Sequence, residues 1–305
     1  MTSPASSAVP PPVAGPPGSG RQLARLIRLP NLLLMALALM LVQACLLTPG
    51  FDGASLLHWH FGLLALGALL VAAAGYIIND YYDVKIDAIN RPERLVVGRA
   101  INRRHAILAH LVLSGMGVVA GLVLSPLIGL VNLGSALLLW GYSARFKRLP
   151  LVGNLSIATL TAALVLLPEL WVRTGHTAVW VYALAAFLLT VVREIIKDVE
   201  DMRGDAQHDC RTLPIAWGVA RTKWVTGFFL VCLAVLVAAA AGQAWYAGRL
   251  LLGGWLLLAV LLPLAVLGRR LIRADRKRHF SHLSTWCKWI MLAGVLSMIL
   301  FVVKP

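Results

Sequence analysis

The chain has 305 residues, 59% of them hydrophobic, with a mean hydropathy of +0.80 and a formal net charge of +15. That composition excludes an ordinary soluble globular domain. The positive charge is scattered between apolar runs rather than gathered as a patch, which argues against a nucleic-acid partner.

The first 20 residues, MTSPASSAVPPPVAGPPGSG, are rich in proline and small residues and cannot bury a core. They are expected to be a disordered cytoplasmic tail. They lack the charged and apolar regions of a signal peptide. Residues 21–305 read as a single all-α transmembrane domain. A bilayer core of about 30 Å takes roughly 20 apolar residues per helix. Nine segments qualify: 31–48, 61–80, 105–124, 126–142, 152–171, 178–196, 224–243, 250–268 and 285–303. At Ser125-Pro126 one long kinked helix is the alternative, because proline removes a backbone donor; the count is then eight. Cys45, Cys210, Cys232 and Cys287 show no metal-binding spacing and are expected to be reduced and structural.

Along a nine-helix path, all but four of the 28 Lys and Arg residues fall on one side of the membrane. Arg173, Arg249 and Lys304 fall opposite, with Lys288 just inside the last helix. The positive-inside rule then places the N-terminus in the cytoplasm and the C-terminus outside. The expectation is an integral protein of the cell's inner or plasma membrane. Trp59, Trp140, Trp171, Trp180, Trp245, Trp286 and Trp289 lie near helix ends, where amphipathic rings favour the interface.

Nine of the 13 acidic residues fall within 80–87 and 194–209. Both clusters close even-numbered helices, so both lie on the cytoplasmic face, where they can converge across a bundle. Asn79, Asp83 and Asp87 stand at i, i+4 and i+8; Asp198, Asp201 and Asp205 stand at i, i+3 and i+7. If the helices continue, each triplet forms one face. Like charges so spaced destabilise a helix by about 0.2–0.5 kcal/mol per pair. Carboxylates reaching the hydrocarbon cost up to about 2.5–3.5 kcal/mol each. A divalent cation offsets both penalties. Carboxylate and carboxamide oxygens without Cys or His favour Mg²⁺, or Mn²⁺, over zinc. Asp80 and Glu200 point off these faces, and solvent or an arginine is as good a partner for them.

Mg²⁺ often binds through one or two carboxylates plus substrate phosphates. Two such ions, with Arg28, Arg91, Arg94, Lys147, Arg148 and Lys197 nearby, suit a diphosphate leaving group. Singly, each base is better read as a charge obeying the positive-inside rule than as a ligand; as a group they suit an anion site.

These residues resemble the two aspartate-rich signatures of the UbiA superfamily of intramembrane prenyltransferases. The NDxxDxxxD run matches Asn79, Asp80, Asp83 and Asp87; the DxxxD run matches Asp201 and Asp205, with Asp198 just before. GYSARFKRLPLVGN (141–154) resembles the stretch after the fourth helix, IRLPNLLLMAL the entry to the first, and RTLPIAWG the segment after the second motif. The resemblance covers about 21–303. It implies a helical bundle around a central cavity under a cytoplasmic cap, with a prenyl diphosphate held by two Mg²⁺. It makes Asn79, Asp83, Asp201 and Asp205 metal ligands, supported by Asp87 and Asp198, with Asp83, Asp201 and Asp205 central to catalysis. Arg28, Tyr142, Ser143, Lys147 and Lys197 become contacts of the diphosphate or acceptor. An allylic cation in a dry cavity is then captured by the acceptor. Where many members continue the first motif as RPxRPxPSG, this chain reads RPERLVVGRAI, so Val96-Val97 imply a less rigid loop.

NDYYDVKIDAINRPER with KDVEDMRGD looks most like the branch making digeranylgeranylglyceryl phosphate and related ether lipids. The expected partners are a prenyl diphosphate donor, a lipid-like acceptor and membrane lipids. Aromatic-acceptor branches of quinone or haem synthesis share the core motifs and are the alternative. A cation-coupled transporter would place acids near the midplane of broken helices, and these crowd the helix ends. A CDP-alcohol phosphotransferase carries one compact aspartate- and glycine-rich signature rather than two distant clusters.

Overall fold

The structure is a computed structural model that describes residues 20–48, 50–90 and 95–303. The tail expected over 1–20 thus lies, but for Gly20, outside the described residues, as do Arg91, Arg94 and Lys304. The helices are α1 (Gly20–Leu26), α2 (Leu29–Leu41), α3 (Trp59–Asn90), α4 (Arg103–Leu124), α5 (Pro126–Ala144), α6 (Val152–Val172), α7 (Thr177–Ala206), α8 (Leu213–Tyr246), α9 (Leu250–Trp255), α10 (Leu262–Arg273) and α11 (Lys277–Leu296). A π-helical turn, Val42–Leu46, extends α2, and another, Leu256–Leu261, joins α9 to α10. Among the described residues nine helical stretches are long and apolar enough to cross a membrane.

The break at residue 125 separates two helices. Ser125 is extended (φ −165°, ψ 156°), and its hydroxyl accepts from the Ile128 N–H at 3.2 Å. Pro126 then occupies the first turn, where its missing donor leaves nothing unpaired. Helix α8 begins eleven residues before the expected 224, through a kink at Gly218 (φ 80°, ψ 157°). Arg221 and Lys223 had masked that start by lowering the local hydropathy.

Two stretches beyond the expected apolar segments are helix. Segments 81–90 and 197–206 continue α3 and α7 without a break, so both acid clusters ride on helix. No proline or glycine interrupts 76–91, and Lys197–Asp201 is an i,i+4 pair of the helix-supporting kind. The 95–102 loop is also firmer than the valine pair implied. Val96 and Val97 are buried against Leu26, Ile77 and Ala106, and Ala100 donates to the Val96 carbonyl at 2.8 Å.

Small residues set the helix spacing. A Cβ on Gly117 of α4 would lie 2.7 Å from the Gly67 carbonyl oxygen of α3, so the two backbones meet directly. Asn132 of α5 donates to the Gly117 carbonyl at 2.8 Å, satisfying a buried amide. Opposite, α8 presents Trp224, Phe228, Val231 and Val235 outward, a stripe at helical spacing facing lipid. Its other face buries Leu230, Leu233 and Val237 against α7 and the α9–α11 stretch. All four cysteines are free, in line with the sequence expectation.

Candidate active site

Helices α3 and α7 have 32 and 30 residues, about 48 and 45 Å at 1.5 Å per residue, and so outreach a ~30 Å hydrocarbon core. Asn79 stands 20 residues after Trp59, and Asp198 stands 21 after Thr177. Each cluster therefore begins where its helix has spanned the apolar slab, and the carboxylates occupy the overhang.

The two overhangs touch. Asn90, at the last turn of α3, donates to the Asp201 carbonyl at 3.0 Å and accepts from the Gly204 N–H at 3.0 Å. Asp205 is within electrostatic reach of Asp83 and Lys147, and Asp87 within reach of Lys197. The structure thus brings the two sequence clusters to one site.

Four of the carboxylates, Asp80, Asp83, Asp198 and Asp201, meet a cationic or amide partner. Lys147 makes a short ion pair with Asp83 and lies 6.0 Å from the Tyr82 ring centroid. Asn154 of α6 donates to Asp198 at 2.8 Å. Lys197 stands 3.9 Å from Asp201. Asp80 turns aside to Arg28 at 3.1 Å, the arginine-partner reading of that residue, and Arg28 also covers the Tyr76 ring at 4.9 Å. Tyr142 lies between the clusters, within reach of Asp83, Glu194 and Asp198. Ser143 is buried, and its hydroxyl donates to the Leu139 carbonyl of its own helix at 2.9 Å.

Backbone strain and close approach hold this arrangement. Arg28 (φ 51°), Leu151 (φ 64°) and Asp209 (φ 56°) adopt the left-handed conformation that costs a non-glycine residue about 1–2 kcal/mol. All three flank the acid clusters, where strain collects at working sites. A Cβ on Gly153 would lie 2.8 Å from the Lys147 Cα, so glycine there lets the lysine-bearing turn sit on α6. The Arg211 N–H donates to the Arg148 carbonyl at 2.9 Å, tying the segment after α7 to that same turn. Behind it, burial first and the negative charge of Asp205 second push the Cys210 thiol up to about 11, so it stays a neutral thiol near pH 7.

Asn90, Asn154 and Gly204 were not among the residues singled out from the sequence. Asn90 follows Asp87 by three positions on the same helix, and Asn154 closes the GYSARFKRLPLVGN segment. Those positions were the available signal.

Below the clusters a cavity of about 120 Å³ runs between α2, α3, α5 and α6. It passes from Tyr76 down α3 to Ala68 and is bounded by Leu139, Ile157 and Leu167. Tyr76 joins the two regions, its ring under Arg28 and its hydroxyl accepting from Asn31 at 3.3 Å.

The donor set suits a hard divalent cation. Asn79, Asp83, Asp87, Asp198, Asp201 and Asp205 offer oxygen only, and no group of three His, Cys, Asp or Glu among the described residues is close enough to hold a metal alone. One or two carboxylates completed by phosphate and water is the number Mg²⁺ uses. Ammonium groups stand on Asp83 and Asp201 in the structure, marking the charge these carboxylates demand.

Known proteins share the fold and part of the sequence. The digeranylgeranylglyceryl phosphate synthase of Methanoregula boonei is 37% identical over 198 residues, 63% of this chain and 70% of that one. The chain spans about two thirds of the length of the curated relatives it matches. A solved structure concerning digeranylgeranylglyceryl phosphate synthase in membranes shares the fold at TM-score 0.66 and 24% identity, covering 92% of this chain and 98% of that one. A UbiA homologue from Archaeoglobus fulgidus bound to GPP and Mg²⁺ shares it at TM-score 0.62 and 17% identity, covering 91% and 99%. The model of the UbiA prenyltransferase family matches residues 32–292, nearly the whole membrane domain, and the chain belongs to that family.

Proposed function

We propose that this prenyltransferase moves a polyprenyl group, geranylgeranyl in length, from its diphosphate to a prenylglyceryl phosphate-type acceptor, with Mg²⁺ as cofactor. One observation carries the reading: oxygen ligands from α3 and α7 meet beside Lys147, directly above an apolar cavity. The likeness to digeranylgeranylglyceryl phosphate synthases supports the acceptor, and the GPP- and Mg²⁺-bound homologue supports donor and metal.

In this reading Asn79, Asp83, Asp87, Asp198, Asp201 and Asp205 hold the metal. Mg²⁺, when bound, neutralises diphosphate charge and improves it as a leaving group. Lys147, Lys197 and Arg28 exchange their carboxylate partners for diphosphate oxygens, and Tyr142 borders the reacting carbon. The prenyl C1–O bond breaks, the electron pair leaves with diphosphate, and the allylic cation stays in the apolar cavity, away from water. The acceptor hydroxyl oxygen forms the new bond to C1 and releases its proton. The Lys and Arg asymmetry supports a cytoplasmic N-terminus and acid-bearing end, with the C-terminus outside.

The test is a donor-by-acceptor panel on purified protein, read by mass spectrometry, with geranyl and geranylgeranyl diphosphate against prenylglyceryl phosphate and hydroxybenzoate-type acceptors. Turnover with the glyceryl phosphate acceptor, lost with EDTA, is expected. Turnover with aromatic acceptors alone moves the chain to the other branch, and turnover in EDTA removes the metal from the reading.

A further inference from the structure

A groove of about 360 Å³ lies at the end opposite the acids, between α7, α8 and α9. Its lining runs along α7 from His176 to Ala185 and along α8 from Leu236 to Ala247. Those stretches are about 14 and 16 Å long at 1.5 Å per residue, which is the depth of one leaflet of a ~30 Å core. Val181, Ala185, Leu236, Val237 and Ala240 line the deep part with apolar side chains, and the Tyr182 hydroxyl there is taken up by Ser297.

The polar groups gather at the outer rim, and the rim is built. Arg249 sits at the α8–α9 turn, its N–H donating to the Ala244 carbonyl at 2.8 Å. Its guanidinium lies 4.8 Å from the Phe301 ring centroid. Phe301 in turn meets Tyr182 edge-on at 6.0 Å, and the Tyr182 hydroxyl shares a 2.6 Å hydrogen bond with Ser297. Across the opening, the loop bearing His176 is fixed by Glu169, which accepts from Thr174 at 2.5 Å and from the Gly175 N–H at 2.6 Å.

Arg249 has no carboxylate partner among the described residues. The two acidic side chains at this end are Asp52, which accepts from the Ser55 N–H, and Glu169. Few bases share this face: Arg173 is the other one among the described residues, and Lys304 lies outside them. A lone guanidinium over a leaflet-deep apolar groove matches an amphiphile with an anionic head.

We propose that this groove holds one anionic phospholipid of the leaflet opposite the acid-bearing end. Its phosphate sits on Arg249 beside Gln243 and His176, and one acyl chain lies between α7 and α8. A zwitterionic lipid fills the same groove but brings its own ammonium towards the guanidinium. The site is independent of the prenyl-transfer reading.

The experiment is native mass spectrometry of the purified full chain, exchanged into phosphatidylglycerol or phosphatidylcholine of identical acyl chains. Wild type is expected to retain one phosphatidylglycerol with about tenfold or greater preference, the scale of one charge-assisted hydrogen bond. Arg249→Gln abolishes the preference, Ala240→Trp abolishes retention of both lipids, and Arg173→Gln changes neither. Equal retention by wild type, a preference that survives Arg249→Gln, or a dimer in place of bound lipid overturns the proposal. Should Ala240→Trp fail to fold, Arg249→Gln, at a half-buried turn position, decides alone.

Discussion

Asn90 and Gly204 form the joint between the two acid-bearing helices. The Asn90 carboxamide spans the gap with one hydrogen bond in each direction, and a Cβ on Gly204 would lie 2.5 Å from that carboxamide. The joint therefore fixes how far apart the carboxylates of α3 and α7 stand. Asn90→Ala loses two hydrogen bonds, about 1–3 kcal/mol. It is expected to lower turnover at least tenfold and raise the Mg²⁺ concentration for half-activity, though no carboxylate is changed. Gly204→Ala should do the same. A Mg²⁺ titration of each variant checks this, and wild-type half-saturation in both refutes it.

Lys147 and Gly153 should behave as one unit, since the glycine admits the lysine-bearing turn onto α6. Lys147→Ala is expected to raise KM for the donor strongly. Gly153→Ala should move KM in the same direction to a lesser degree, with little further effect in the double variant. A double-mutant cycle on donor KM measures this; full additivity would show separate roles.

Asp83 and Asp80 are expected to separate by function. Asp83→Ala and Asp201→Ala should abolish turnover, by a factor of about 10² or more if they hold a transition-state charge. Asp80→Asn frees Arg28 from the partner it must give up, so donor KM falls while the Mg²⁺ half-saturation stays at the wild-type value. Equal metal shifts in Asp80→Asn and Asp83→Asn would make Asp80 a ligand after all. Removing the metal with EDTA should silence wild type, and added Mg²⁺ should restore it.

Chain length should be set by the small residues of the cavity below Tyr76. Ala68→Phe narrows its deep end. The expected result is loss of geranylgeranyl transfer with retention of geranyl transfer, scored by competition between the two donors. Parallel loss of both would point to misfolding, which a melting curve separates.

Much of this was legible in the chain. Nine apolar segments, the spacing of Asn79, Asp83 and Asp87, and the second triplet at 198–205 mark the two clusters that the fold brings together, because helix period and bilayer thickness are fixed lengths. Ser125 and Pro126 decide the helix count only through the cap geometry, which one-dimensional hydropathy does not contain. The overhangs at 81–90 and 197–206 fall outside the apolar segments because charge lowers hydropathy while leaving helix propensity intact. Asn90, Asn154 and Gly204 were hidden for another reason. Each matters through a partner on another helix, a relation between distant positions that no local pattern carries.

The unbroken passage of α3 from lipid into cap has a consequence for which chain-length changes the helix tolerates. Each residue turns the helix by about 100°, so one residue inserted between Trp59 and Asn79 swings the whole aspartate face away from α7. The surrounding membrane, which fixes depth, cannot absorb that rotation. Insertions near a full turn, of three or four residues, keep the face in phase but lift it by about 5 Å. The spanning segment thus works as an angular gauge as well as a spacer, and its length is constrained as tightly as the acids it carries.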